Sequence, residues 1–214
     1  MSAEPLRTIE YSVRRSSRAR RTRLTIVEEG SVIVVLPLRA PARLADELVQ
    51  QHSSWIARHQ AKIAVRRRSL ALRPSLAHGR ILNINGQPEI VRAVTDAERA
   101  ALERRLRRAA RTTIAERVAA RSPDVGVTVR RVTIRDQRTR WGSASRSGTL
   151  SFNWRLILCP PTVLEYVVVH ELAHLKVSGH GTAFWRLVAR HYPDAGGARR
   201  WLKQHHDEIR NALD

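Results

Sequence analysis

Apolar and polar positions along this chain fall into blocks whose period changes from two to four residues. Leu24–Val27 and Val32–Leu36 are β-branched runs on either side of Glu29-Gly30, which predicts a hairpin with Leu24 and Ile26 opposite Ile33 and Val35. Six arginines occupy the ten positions from Arg14 to Arg23, leading into or forming its first strand. One helix is expected over 41–66, with Leu44, Leu48, Trp55 and Ile56 on its apolar side. A second hairpin is expected around Asn85-Gly86, the pair that a tight primed turn prefers. Leu102, Leu106, Ala110, Ile114 and Val118 recur every four residues and predict a helix over 97–121, ended by Ser122-Pro123. Strands follow at Val129–Asp136, around Trp141 and at Thr149–Asn153. Pro160-Pro161 then opens a strongly apolar helix, and helices over 182–191 and 196–212 close the chain. This order predicts an α+β protein in two parts, a β-rich region over 1–95 and a second domain over 96–214.

Composition narrows the class. The chain has 214 residues, enough for one large or two small domains. No apolar run approaches a membrane span, and the opening twelve residues lack the apolar stretch of a secretion signal, so the expected location is the cytoplasm. A single cysteine, Cys159, excludes an internal disulfide framework and a multi-cysteine metal site, and its apolar neighbours predict a buried thiol. The formal charge is +20, and of 39 cations only Lys62, Lys176 and Lys203 are lysines. Arginine offers phosphate a planar fork, so a nucleic-acid contact fits this surface. A codon bias towards arginine would give the same count.

The chemistry is concentrated on the helix after Pro161, in His170-Glu171-Leu172-Ala173-His174. Four residues turn a helix by about 400°, so the two imidazoles stack on one face and can reach one metal ion. Glu171 is offset by about 100°, placed to meet a water rather than the metal. Two histidines and a third ligand would leave a position open, as a catalytic zinc site needs. His180 is the candidate third ligand, because Ser178-Gly179 breaks the helix and glycine takes the positive φ that turns the chain back. His191 is the rival. The helix is otherwise almost wholly apolar, so burying these polar side chains needs a reason.

The segments 135–145, 150–161, 167–180 and 184–195 resemble the YgjP-like metallopeptidases, which group with the SprT-like zinc proteases. The resemblance extends over most of the chain and is most specific from Arg135 to Asp194. It implies a zincin-like half, in which a short antiparallel sheet lies over the motif helix. It also implies one zinc ion held by His170, His174 and His180, with Glu171 as catalytic base, and a protein or peptide substrate that sits on DNA. This chain has Ala144 where the family usually has cysteine, so a role for that thiol is absent here.

Several assignments stay open at this level. Arg140, Tyr192 and Arg155 are candidates to stabilise an oxyanion. The strand at 148–152 or its partner at 139–145 is a candidate edge for an extended peptide. Trp141, Trp154, Trp185 and Trp201 read as core aromatics, with Trp141 in a basic segment where a base could stack. Asp194 fits a helix cap better than a partner for a ligand histidine. Two rival functions are a metal-dependent hydrolase of nucleotides or phosphate esters, and a non-catalytic zinc-containing nucleic-acid-binding module. A structural site has no use for Glu171, which argues against the module, and the sequence has no Gly-rich phosphate loop or carboxylate cluster for magnesium to support the phosphate-ester hydrolase.

Overall fold

A computed structural model describes residues 9–27, 29–72 and 74–214. These form a mixed α+β protein with three small sheets and seven α-helices among the described residues. They divide into two compact units, one ending before residue 73 and the other running from Pro74 to Asp214. The hairpin around Asn85-Gly86 therefore belongs to the second unit, whereas the expected division at residue 95 grouped it with the first.

In the first unit, β2 (Arg23–Ile26) and β3 (Val32–Pro37) form the expected antiparallel hairpin. Its register differs by one residue. Leu24 faces Val34 and Ile26 faces Val32, and Val32, Val34 and Leu36 are the residues fully buried. Val27 donates to the Ser31 carbonyl at 3.0 Å, and Gly30 takes φ +95°. The loop is thus three residues long, a length that favours a left-handed glycine. β1 (Tyr11–Ser16) takes up part of the arginine-rich segment and pairs parallel to β3, making β3 the central strand. The single helix expected over 41–66 is two helices, α1 (Arg43–Gln51) and α2 (Ser53–Ala71). They break at His52, whose φ −108° and ψ 13° leave the helical region.

The second unit is built around α3 (Asp96–Val125). A capping box starts it: Thr95 accepts from the Glu98 backbone while Glu98 reaches back to the Thr95 N–H. The predicted stripe from Leu102 to Val118 is buried. Pro123 does not stop the helix as expected. Its missing N–H falls on the Ala119 carbonyl, towards which the Ser122 hydroxyl points at 3.5 Å, and the helix runs on to a left-handed cap at Gly126. α4 (Pro161–His174) packs along α3, and Glu165 ties the pair through Arg117 at 2.9 Å and through Arg121. β4 (Arg80–Ile84) and β5 (Gln87–Val91) make the expected hairpin, with Asn85 and Gly86 both at positive φ. The turn packs on the start of α4: a β-carbon on Gly86 would meet the Pro161 ring at 2.7 Å.

The last sheet contains β6 (Arg131–Arg135), β7 (Gly142–Ala144) and β8 (Thr149–Asn153) in the order β6-β8-β7. β6 runs parallel to β8 and β7 antiparallel to it, so the sheet is mixed rather than antiparallel. β7 is one of its two edges, the other being β6, and lies against α4. α5 (Thr182–His191) and α6 (Ala195–Gln204) follow, and the closing helix expected over 196–212 breaks at His205 before α7 (His206–Arg210). Asp194 caps α6 by accepting from Gly197 N–H at 2.9 Å. Cys159 is fully buried, which pushes its thiol up to about 12. No helix among the described residues is long and apolar enough to cross a membrane.

Candidate metal centre

α4 carries His170 and His174 on consecutive turns, and the chain leaves the helix after His174. Gly179 then takes φ +77°, in the left-handed region where a β-carbon is strained, and the chain turns back. That turn brings His180 Nε2 to 3.2 Å from both His170 Nε2 and His174 Nε2. The ligand atoms of the three residues lie within 4.8 Å of one another. His191, the alternative third ligand, stands at the end of α5 and outside this group.

The surroundings suit a cation. His174 Nδ1 lies 3.3 Å from the Val177 carbonyl, which can only accept, so Nδ1 carries the proton and Nε2 presents its lone pair. His170 Nδ1 lies 3.3 Å from the Tyr166 hydroxyl, one turn earlier on α4. Two of the three nitrogen pairs stand at 3.2 Å, where lone pairs repel unless a proton or a cation sits between them. Tetrahedral zinc–nitrogen bonds of 2.0–2.1 Å would put such nitrogens about 3.3 Å apart, close to the spacing seen. Burial first, then the charges of His174, His180 and Arg199, pushes His170 down to about 3. His174 is lowered by burial too, against its bond to Val177. Both rings are therefore neutral and available as ligands.

The walls of the group are aromatic. Phe184 is fully buried, stacks on His174 at 4.3 Å between centroids, and meets His170 and His180 by its edge. Trp185 lies 5.7 Å from His180, and Arg199 sits over the Trp185 ring at 4.5 Å. The exclusion of water around His170 and His174 is what lowers the basicity of those two rings.

Glu171 reaches towards β7 at Gly142. It is only 5% exposed, and burial pushes its carboxyl up to about 8, with the charge of Arg140 opposing. Gly142 makes this position possible, because a β-carbon there would stand 2.5 Å from Glu171 Oε1. β7 is held in turn by two buttresses. Buried Asn153 donates to the Gln137 carbonyl at 2.9 Å, and Arg210 donates to the same carbonyl and to that of Arg140 at 3.1 Å. Arg210 also lies over the Trp141 ring at 4.5 Å.

A cleft of about 980 Å³ opens over this arrangement, lined by β7, by His170, Glu171, His174 and His180, and by α6. Of the three expected oxyanion stabilisers only Arg140 lines it. Arg155 is ion-paired with Asp136 and stacks on Trp154 at 4.4 Å, while Tyr192 packs against Tyr166. Gly142, Tyr166 and Phe184 carried no assigned role in the sequence reading. For Gly142 a signal existed, since a glycine inside a strand often marks a close approach. Trp154 is a core residue as expected; Trp141 is half-buried and faces the cleft.

A comparison with curated proteins finds no match. Among solved structures, the crystal structure of the metallopeptidase zymogen of Pyrococcus abyssi abylysin is 24% identical, with a TM-score of 0.39, covering 42% of this chain and 93% of that one. A model of the YgjP-like metallopeptidase domain matches residues 20–99 and 87–205. With that match running over most of its length, the chain belongs to the YgjP-like metallopeptidase family.

Proposed function

We propose that the protein is a zinc-dependent peptidase of zincin-like architecture, which holds one zinc ion through His170, His174 and His180 and uses Glu171 as its general base. The convergence of the three Nε2 atoms, two pairs of them at 3.2 Å, is the observation that carries this reading. When bound, zinc supplies Lewis acidity and makes water a nucleophile near neutral pH.

The chain's own residues do the rest. β8 lies between β6 and β7, so of the two strands considered for substrate pairing β7 is the one with a free edge. An extended peptide paired with it would run past the Glu171 carboxyl, which touches β7 at Gly142. Burial raises the proton affinity of that carboxyl, so that its ionised form can take a proton from water at an Oε atom and pass it to the leaving amine. Arg140 lines the same cleft and is placed to steady developing negative charge on the carbonyl oxygen. Tyr166, beside His170 Nδ1, fixes the orientation of that ring.

Nucleic-acid contact is a separate proposal, carried by the first unit. Arg14, Arg18, Arg20, Arg21 and Arg23 line one depression there. Single-stranded oligonucleotide binding that falls steeply with salt and is lost in R20A/R21A supports it; binding that ignores both changes refutes it. The peptidase reading is tested with a quenched fluorescent peptide library. Hydrolysis should disappear on chelation, return with zinc, and be absent from Glu171→Gln.

A further inference from the structure

The cleft over the three histidines has a one-sided charge. Arg140, Arg146, Arg199, Arg200 and Lys203 line it, and Glu171, buried at its floor, is the one carboxylate in the lining. The five cations are exposed, and among the described residues none of them forms an ion pair with a carboxylate. Several other arginines of this unit do have carboxylate partners: Arg105 with Glu89, Arg107 with Glu103 and Asp136, Arg117 and Arg121 with Glu165. The cleft cations are left for something else.

Their placement says what that is. Arg140 precedes β7 and Arg146 follows it, so they stand at the two ends of the free strand edge. Arg199, Arg200 and Lys203 rise from α6, with Arg199 and Lys203 one turn apart on one face. Arg199 is packed over Trp185 beside His180, and so borders the histidines. A strand edge that offers backbone pairing, flanked by cations, matches an extended peptide with acidic side chains. A nucleic-acid strand would use the cations and leave the backbone groups of β7 unpaired.

Building on the peptidase reading, we propose that the cleft selects peptides carrying Asp or Glu close to the scissile bond, with Arg200 and Lys203 among the residues that read them. A lysine-rich segment would meet like charge throughout the cleft and be rejected.

Three quenched peptides of one sequence, with Asp, Asn or Lys flanking the cleaved bond, test this with the zinc-loaded protein. The expected order of kcat/KM is Asp, then Asn, then Lys, with about tenfold or more between the extremes at low salt and less as salt rises. The double variant R200E/K203E, changed only at exposed positions, should flatten that order, since three cations then face two new carboxylates. The same peptides binding to Glu171→Gln, followed by fluorescence anisotropy, should rank alike. Equal kcat/KM for all three peptides would overturn the selection and leave the peptidase standing. Ranked binding to Glu171→Gln with no hydrolysis by wild type would support the selection and sink the peptidase. An oligonucleotide that displaces the Asp peptide, and whose binding R200E/K203E abolishes while the peptide ranking is unchanged, would overturn the proposal in favour of nucleic acid.

Discussion

The Cα of Gly142 lies so near the carboxyl of Glu171 that a β-carbon would stand 2.5 Å from Oε1 and 2.7 Å from Cγ. The residues are far apart in sequence, one on the edge strand and the other on the motif helix, and the contact sets where the carboxyl sits. Gly142→Ala must push Glu171 or β7 aside. A displacement on the order of 1 Å costs about 100-fold in rate. The variant should lose about that much kcat while binding zinc as wild type does, which parallel kinetics and metal titration would show. Unchanged kcat would mean the contact has no catalytic weight.

Arg210 holds the segment that leads into the same strand, through the carbonyls of Gln137 and Arg140. Arg210→Ala should loosen β7 and raise KM more than it lowers zinc affinity. Arg210→Lys should recover little, because a lysine cannot hold two carbonyls and cover the Trp141 ring at once. Steady-state kinetics of both variants on one peptide decide this.

Gly179 tests the turn that recruits His180. Its φ of +77° disfavours a side chain, yet nothing lies within 4 Å of where a β-carbon would go, so the whole cost is in the backbone. Gly179→Ala should destabilise the zinc-bound protein by about 1–2 kcal/mol and weaken zinc affinity. Gly179→Asn should cost less, since asparagine tolerates the left-handed region. Thermal unfolding with and without zinc separates the two effects. Equal zinc affinity in all three proteins would show that the turn does not govern the third histidine.

Much of this centre was legible in the sequence because its logic is local. Helical spacing stacks His170 over His174, and a glycine five residues on announces the turn to His180. The hairpin at Asn85-Gly86 and the buried stripe of α3 are local in the same sense. What escaped depends on contacts between distant segments, or on patterns without a period. Val32–Leu36 is apolar at every position, so alternation could not choose between registers, and the loop closure at Val27 and Ser31 decided it. The parallel pairings β1–β3 and β6–β8 have no turn to announce them. Gly142 reads as an ordinary strand glycine until Glu171 is placed against it.

Asp136 gives an acid-stability prediction. Burial alone would raise its carboxyl, but Arg155, then Trp154 and then Arg107 more than offset this and hold it below the usual range. A group lowered on folding adds stability above its unfolded pKa of about 3.9, and that stability is lost as pH falls through the lower folded value. Asp136→Asn should therefore be less stable than wild type at neutral pH, because it leaves the largely buried Arg155 without its carboxylate. The gap should close below about pH 4, where the carboxyl of the unfolded chain begins to protonate. Denaturant midpoints across that range measure it; a gap constant with pH would contradict the assignment.

The central claim is that three histidines hold the metal while Glu171 moves the proton. The most direct measurement is zinc stoichiometry together with peptide hydrolysis for wild type, Glu171→Gln and His180→Ala. One zinc per chain with hydrolysis is expected for wild type. Glu171→Gln should keep its zinc and lose at least about 100-fold in rate, and His180→Ala should lose both. Hydrolysis that survives in Glu171→Gln, or full zinc occupancy in His180→Ala, would contradict it.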